Sequence, residues 1–87
     1  KENRLIRKGK KLLTKGKLEK AYHHFEKAVM LNNSTNNRFY LGLAMMSLTQ
    51  FAEAKKLFTD IRKEDKENEL NLLSLAECNM MLRKWKE

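Results

Sequence analysis

Apolar residues recur along the chain at steps of three and four, with charged and amide side chains between them. That spacing gathers the apolar side chains on one face of an α-helix. It predicts helices at about residues 3–15, 18–31, 35–48, 51–63 and 67–82, and another that begins near Lys84. The predicted joints hold Gly16, which suits a left-handed helix end, and several cap-forming residues within 32–37. We therefore predict an all-α fold.

The same pattern repeats along the chain. A shift of 33 residues places Gly9 on Gly42, Ala21 on Ala54 and Phe25 on Phe58, and a further shift of 34 places Leu41 on Leu75 and Gly42 on Ala76. Small residues at Gly9, Gly42 and Ala76 predict close approaches between helices. The two phenylalanines are predicted to fill the wedges between successive helix pairs.

These residues resemble the tetratricopeptide repeat, a unit of about 34 residues with a Leu-Gly pair and a later Ala-x3-Phe. The second repeat fits best, through Leu41-Gly42 and Ala54-x3-Phe58, whereas Asn33 and Lys66 stand in the proline slots. The resemblance implies antiparallel helical hairpins stacked as a short right-handed superhelix. We expect one domain over 1–87, with repeats at about 2–34 and 35–68 and an incomplete one at 69–87, as part of a longer protein.

Positive charge is concentrated at the start of the chain. The net charge is +8, and residues 1–20 hold nine basic and two acidic side chains. On a helix these cations form one patch, which contains Arg4, Arg7, Lys8, Lys11 and Lys15. A solvated surface, an acidic protein segment, and nucleic acid or an anionic membrane are the alternatives; without interleaved aromatic residues, the last is the least favoured. Lys8 takes a slot that interior repeats bury, which suits an N-terminal repeat.

The family resemblance also implies a partner groove, lined by the first helix of each repeat. Transferred to this chain, the groove residues are Ile6, Lys10, Leu13, Phe39, Leu43, Met46, Leu73 and Met80. Most of them are apolar, and methionine adapts to irregular apolar partners. Packing within the repeats is the alternative explanation for these side chains.

Sequence motifs for catalysis are missing. The chain has no glycine-rich phosphate loop, nucleophile elbow or paired-histidine metal motif, and its one cysteine, Cys78, replaces the small Ala44 of the preceding repeat. We expect a packed thiol, no cofactor, no metal and no enzyme activity. No apolar run approaches the roughly 18 residues of a membrane span, so we expect a cytoplasmic protein.

Because the sequence shows a repeat array and no catalytic motif, we predict a module that binds a protein or peptide ligand and acts as an adaptor or scaffold. Two alternatives remain. The apolar C-terminal end could stack on further repeats or on another copy to form a homo-oligomer, or the basic first helix could dock onto an acidic partner. Nucleic acid and membrane are not the expected partners.

Overall fold

The computed structural model describes the backbone from Glu2 to Lys86 and the side chains as far as Lys84. Within those limits the chain has no β-strand and forms five α-helices: α1 (Glu2–Thr14), α2 (Leu18–Leu31), α3 (Thr35–Ser47), α4 (Phe51–Glu64) and α5 (Glu69–Lys86). The all-α prediction is confirmed. Lys1, Glu87 and the side chain of Trp85, which the predicted repeats include, lie outside the described part.

The first four helices begin and end within one residue of the predicted positions. The predicted helix break before Lys84 is wrong, because α5 continues to Lys86. Residues 80–86 contain no glycine, proline or capping residue that would end a helix there. None of the helices in the described residues is long and apolar enough to cross a membrane.

The helices form two layers. Each helix packs against its neighbour in the chain, α1 also contacts α3, and α3 also contacts α5. By contrast, α2 and α4, both fully described, do not approach each other. Because the first helices of the repeats lie closer together than the second helices, the array curves with α1, α3 and α5 on its inner side. This stacking of helical hairpins agrees with the prediction.

The core consists of two equivalent clusters. The first cluster contains Ile6, Ala21, Phe25, Ala28, Leu41 and Ala44, and the second contains Ala54, Phe58, Ile61, Leu75 and Cys78. A shift of one repeat places Phe25 on Phe58 and Leu41 on Leu75. Phe25 stacks on Tyr40 of the next repeat, with ring centroids 5.6 Å apart. The predicted wedge role of Phe25 is therefore confirmed.

Two helix ends share one backbone geometry. After α1, Gly16 has φ +82°, and the N–H of Lys17 donates to the carbonyl of Leu12 over 2.9 Å. After α3, Thr49 has φ +62°, and the N–H of Gln50 donates to the carbonyl of Met45 over 2.8 Å. This left-handed cap normally takes glycine, because a β-branched side chain is strained at positive φ.

We expect Thr49→Gly to raise the free energy of unfolding by about 0.5–1 kcal/mol. Relief of the left-handed strain, worth about 1–2 kcal/mol, outweighs the extra entropy that glycine loses on folding, about 0.5–1 kcal/mol. Urea unfolding followed by circular dichroism measures the change. The reverse substitution at the equivalent cap, Gly16→Thr, is the control and should lower the free energy. A decrease for Thr49→Gly would contradict the strain at this position.

Candidate functional site

The predicted groove residues all lie on the first helices of the repeats, α1, α3 and α5. We call the inner face the surface of α1, α3 and α5 that carries Leu13, Leu43, Met46, Leu73 and Met80. Leu13, Leu43 and Met46 are half-buried against the core clusters, whereas Leu73 is 67% and Met80 is 60% exposed. The inner face therefore offers accessible apolar surface on all three first helices.

Side chains at equivalent positions of the three repeats differ in exposure. Ile6, Phe39 and Leu73 occupy equivalent positions on α1, α3 and α5. Ile6 is 7% exposed within the first core cluster, and Phe39 is half-buried, with its ring 5.8 Å from that of Phe58. Ile6 lies where α1 meets α3, and Phe39 lies where α3 meets α5. Ile6 therefore belongs to the core and can contribute little to a partner surface.

Another set of equivalent residues carries a positive charge on α1 and a negative charge on α5. Lys10, Leu43 and Glu77 are equivalent residues on α1, α3 and α5, and both charged side chains are exposed. The Lys10 Nζ lies 4.5 Å from the centroid of the Tyr40 ring. This cation–π contact holds the Lys10 ammonium beside the inner face. A ligand along the face would meet a cation near α1 and a carboxylate near α5.

The predicted basic patch is exposed. The side chains of Arg4, Arg7, Lys8 and Lys11 lie on the surface of α1, and Lys15 lies just after it. Lys8 is exposed, whereas its equivalents Leu41 and Leu75 are buried. Leu41 packs in the first core cluster against residues of α1 and α2.

Two buried asparagines, which the sequence reasoning missed, tie the repeats together. The Asn37 side chain donates to the carbonyl of Asn32 over 3.0 Å and to the Glu2 carboxylate over 3.2 Å. Its equivalent Asn71 donates to the carbonyl of Phe58 over 3.0 Å. Both lie three residues after a helix cap, Ser34 or Asn68. The two asparagines are separated by 34 residues, one repeat length, and this spacing could have identified them in the sequence.

The sequence reasoning also did not identify an ion pair and a groove between α4 and α5. Arg38 lies 2.6 Å from the Glu64 carboxylate, and this hydrogen bond lowers the pKa of Glu64 below its usual value. A groove of about 850 Å³ lies between α4 and α5, where Lys55, Lys56 and Arg83 line it together with Asp60. The basic lining distinguishes this groove from the apolar inner face.

The one cysteine is packed in the core. Cys78 is fully buried in the second cluster, and burial raises the pKa of its thiol. A raised pKa disfavours the thiolate, which is the reactive form of cysteine. No group of three or more histidine, cysteine or acidic side chains that could hold a metal ion occurs among the described residues.

The helices are paired, and in the first two pairs a glycine of the first helix packs against a phenylalanine of the second. These features define a helical-repeat protein of the tetratricopeptide type. A family model described as anaphase-promoting complex, cyclosome, subunit 3 matches residues 14–87. The chain belongs to this family. Such repeats are protein–protein interaction modules and are typically non-catalytic. Comparisons with curated proteins and with solved structures gave no match.

Proposed function

We propose that the chain is a non-enzymatic adaptor that binds a peptide or helix of another protein along its inner face. The observation that carries this proposal is the row of accessible apolar side chains on consecutive first helices, namely Leu13, Leu43, Met46, Leu73 and Met80. Contiguous exposed apolar surface marks interaction sites. The family description, which names a subunit of a complex, supports a role in protein assembly.

The side chains of the inner face favour a ligand with apolar anchors. Met46 and Met80 are equivalent, and their unbranched thioethers fit partners of varied shape. Lys10 and Glu77 would also fix the orientation of the bound ligand, because an acidic ligand residue would lie near Lys10 and a basic one near Glu77. An amphipathic helix or an extended segment offers anchors at the required spacing.

The test is selection of peptides from a random display library on the wild-type chain, followed by affinity measurements on variants. We expect Met46→Glu to weaken binding of the selected peptides at least about tenfold, because a carboxylate would be buried beneath an apolar anchor. Met30→Glu is the matched control: Met30 lies on α2, is 81% exposed and lies away from the inner face.

Circular dichroism of both variants establishes that they remain folded. Peptides that bind Met46→Glu and wild type equally, or that lose the same affinity with Met30→Glu, would overturn the assignment of the inner face.

A further inference from the structure

Positive charge sets α1 apart from the other helices of the array. This helix carries five basic residues and one acid, a net charge of +4, whereas α2, α3, α4 and α5 each carry a net charge of 0 or +1. The surfaces of α2 and α4 mix both signs, as is usual for a surface that only has to remain soluble. Solubility alone therefore does not explain the charge of α1.

The basic patch forms one continuous strip along α1. Its five side chains are all exposed. Arg4, Lys8, Lys11 and Lys15 follow one another at steps of four, three and four, and Arg7 lies beside them. The N–H of Lys15 donates to the carbonyl of Lys11 over 3.0 Å, which keeps Lys15 in the helical register. The strip is about 16 Å long, given the rise of an α-helix.

The acids of the chain do not neutralise the basic patch. Glu2, the one acid of α1, accepts hydrogen bonds from the side chains of Asn32 and Asn37. Among the described residues, the ion pair between Arg38 and Glu64 is the one that involves an arginine or lysine, and it lies outside the patch. The positive potential of the patch is therefore available to a partner.

The residue type at one repeat position matches this surface to a charged partner. Lys8 stands where the second and third repeats carry the buried Leu41 and Leu75. An apolar helix packed here would bury the Lys8 ammonium without a compensating charge, which is strongly unfavourable. A partner that carries carboxylates would instead be attracted to the same ammonium.

We propose that the basic patch binds an acidic segment of another protein, which lies extended along α1. About five residues of an extended chain span the strip, and acids at every second position lie about 6–7 Å apart. Cations three or four residues apart on a helix have a similar spacing, about 5–6 Å. This second binding surface goes beyond the proposed peptide site and uses none of the inner-face residues.

The composition of α1 favours an acidic protein over a membrane or a nucleic acid. Leu5, Leu12 and Leu13 pack against the first core cluster, so they are not available to insert into a lipid surface. Residues 1–20 contain no aromatic side chain on which a base could stack. Repeats of this family generally bind protein partners.

Fluorescence anisotropy with a labelled peptide of six Glu-Ser pairs tests the proposal on the full 87-residue chain. We expect the wild type to bind this peptide and not the matching Gln-Ser peptide. Its affinity should fall at least about tenfold between about 30 and about 150 mM salt, because salt screens exposed charges. Arg4→Glu with Lys11→Glu should weaken binding at least about tenfold, since two attractive contacts become repulsive.

Arg62→Glu with Lys63→Glu is the matched control, because both residues are exposed on α4, which makes no contact with α1. Each double variant replaces two cations by two acids and lowers the net charge from +8 to +4. The control should change the affinity by less than about threefold, so it separates the patch from the overall charge.

Circular dichroism establishes that the variants are folded, and Arg4→Gln with Lys11→Gln gives a second test that adds no acid. No binding by the wild type at low salt, or equal losses for the patch and control variants, overturns the proposal. Tighter patch-dependent binding of duplex DNA of equal charge, or of anionic vesicles, overturns the assignment of an acidic protein segment. None of these outcomes affects the peptide test on Met46.

Discussion

Replacement of Phe58 by alanine is expected to lower the free energy of unfolding by about 3–5 kcal/mol. Phe58 is fully buried in the second core cluster, where its ring contacts Phe39 of α3 and lies against Gly42. Removing the ring leaves a cavity between three helices that cannot collapse without moving one of them. A chain of this length has roughly 4–13 kcal/mol of stability in total, so the loss is severe.

Urea unfolding followed by circular dichroism measures this effect. Phe25→Ala, at the equivalent position of the first repeat, should cost a similar amount, because Phe25 is also fully buried and stacks on Tyr40. Leu31→Ala is the control, since Leu31 is exposed and its truncation should change stability by less than about 0.5 kcal/mol. A loss below about 1 kcal/mol for Phe58→Ala would contradict its role as the wedge.

The fold could be predicted from the sequence because the repeat encodes the same local packing twice. Gly9 with Phe25 and Gly42 with Phe58 appear in the sequence at matching intervals, and the structure places each glycine directly against its phenylalanine ring. Each pair lies within one helical hairpin, so its contact depends on only about 16 residues of chain. Packing that is local and repeated leaves a clear signal in a single sequence.

The exposure of Ala76 on α5 was not predicted from the repeat pattern. Ala76 takes the glycine slot and was expected at a close helix approach, yet it is exposed in the structure. Gly9 and Gly42 are buried because the second helix of their own repeat covers them, and the described residues hold no such helix for Ala76. Residue type at a slot therefore predicts burial only when the covering helix is present.

The candidate site was predicted only in part for a related reason. The resemblance placed Ile6 and Leu73 in one groove, but Ile6 is buried in the first core cluster with residues of α3, whereas Leu73 is 67% exposed on the last described helix. The links from Asn37 to Glu2 and from Lys10 to Tyr40 join residues 35 and about 30 positions apart. Such long-range polar contacts depend on how successive repeats meet, and a single sequence does not encode them as a recognisable motif.

Gly42→Ala is expected to lower the free energy of unfolding by about 1–3 kcal/mol, although alanine is the better helix former by about 1 kcal/mol. A methyl group at Gly42 would lie 2.5 Å from Cε1 and 2.7 Å from Cζ of Phe58. Both distances are far below van der Waals contact, and the ring is fully buried with no free space to enter. Overpacking therefore outweighs the gain in helix propensity.

The equivalent position on α5 supplies a control, because there alanine and not glycine is expected to be the more stabilising residue. Ala76 is exposed, so Ala76→Gly should lower stability by about 1 kcal/mol through helix propensity alone. The double variant Gly42→Ala with Phe58→Leu should cost less than the sum of the two single variants, because the smaller side chain makes room for the methyl group. Urea unfolding of the four proteins measures this coupling. If Gly42→Ala instead stabilises the chain, the ring can move aside, and close packing does not explain why glycine occupies this slot.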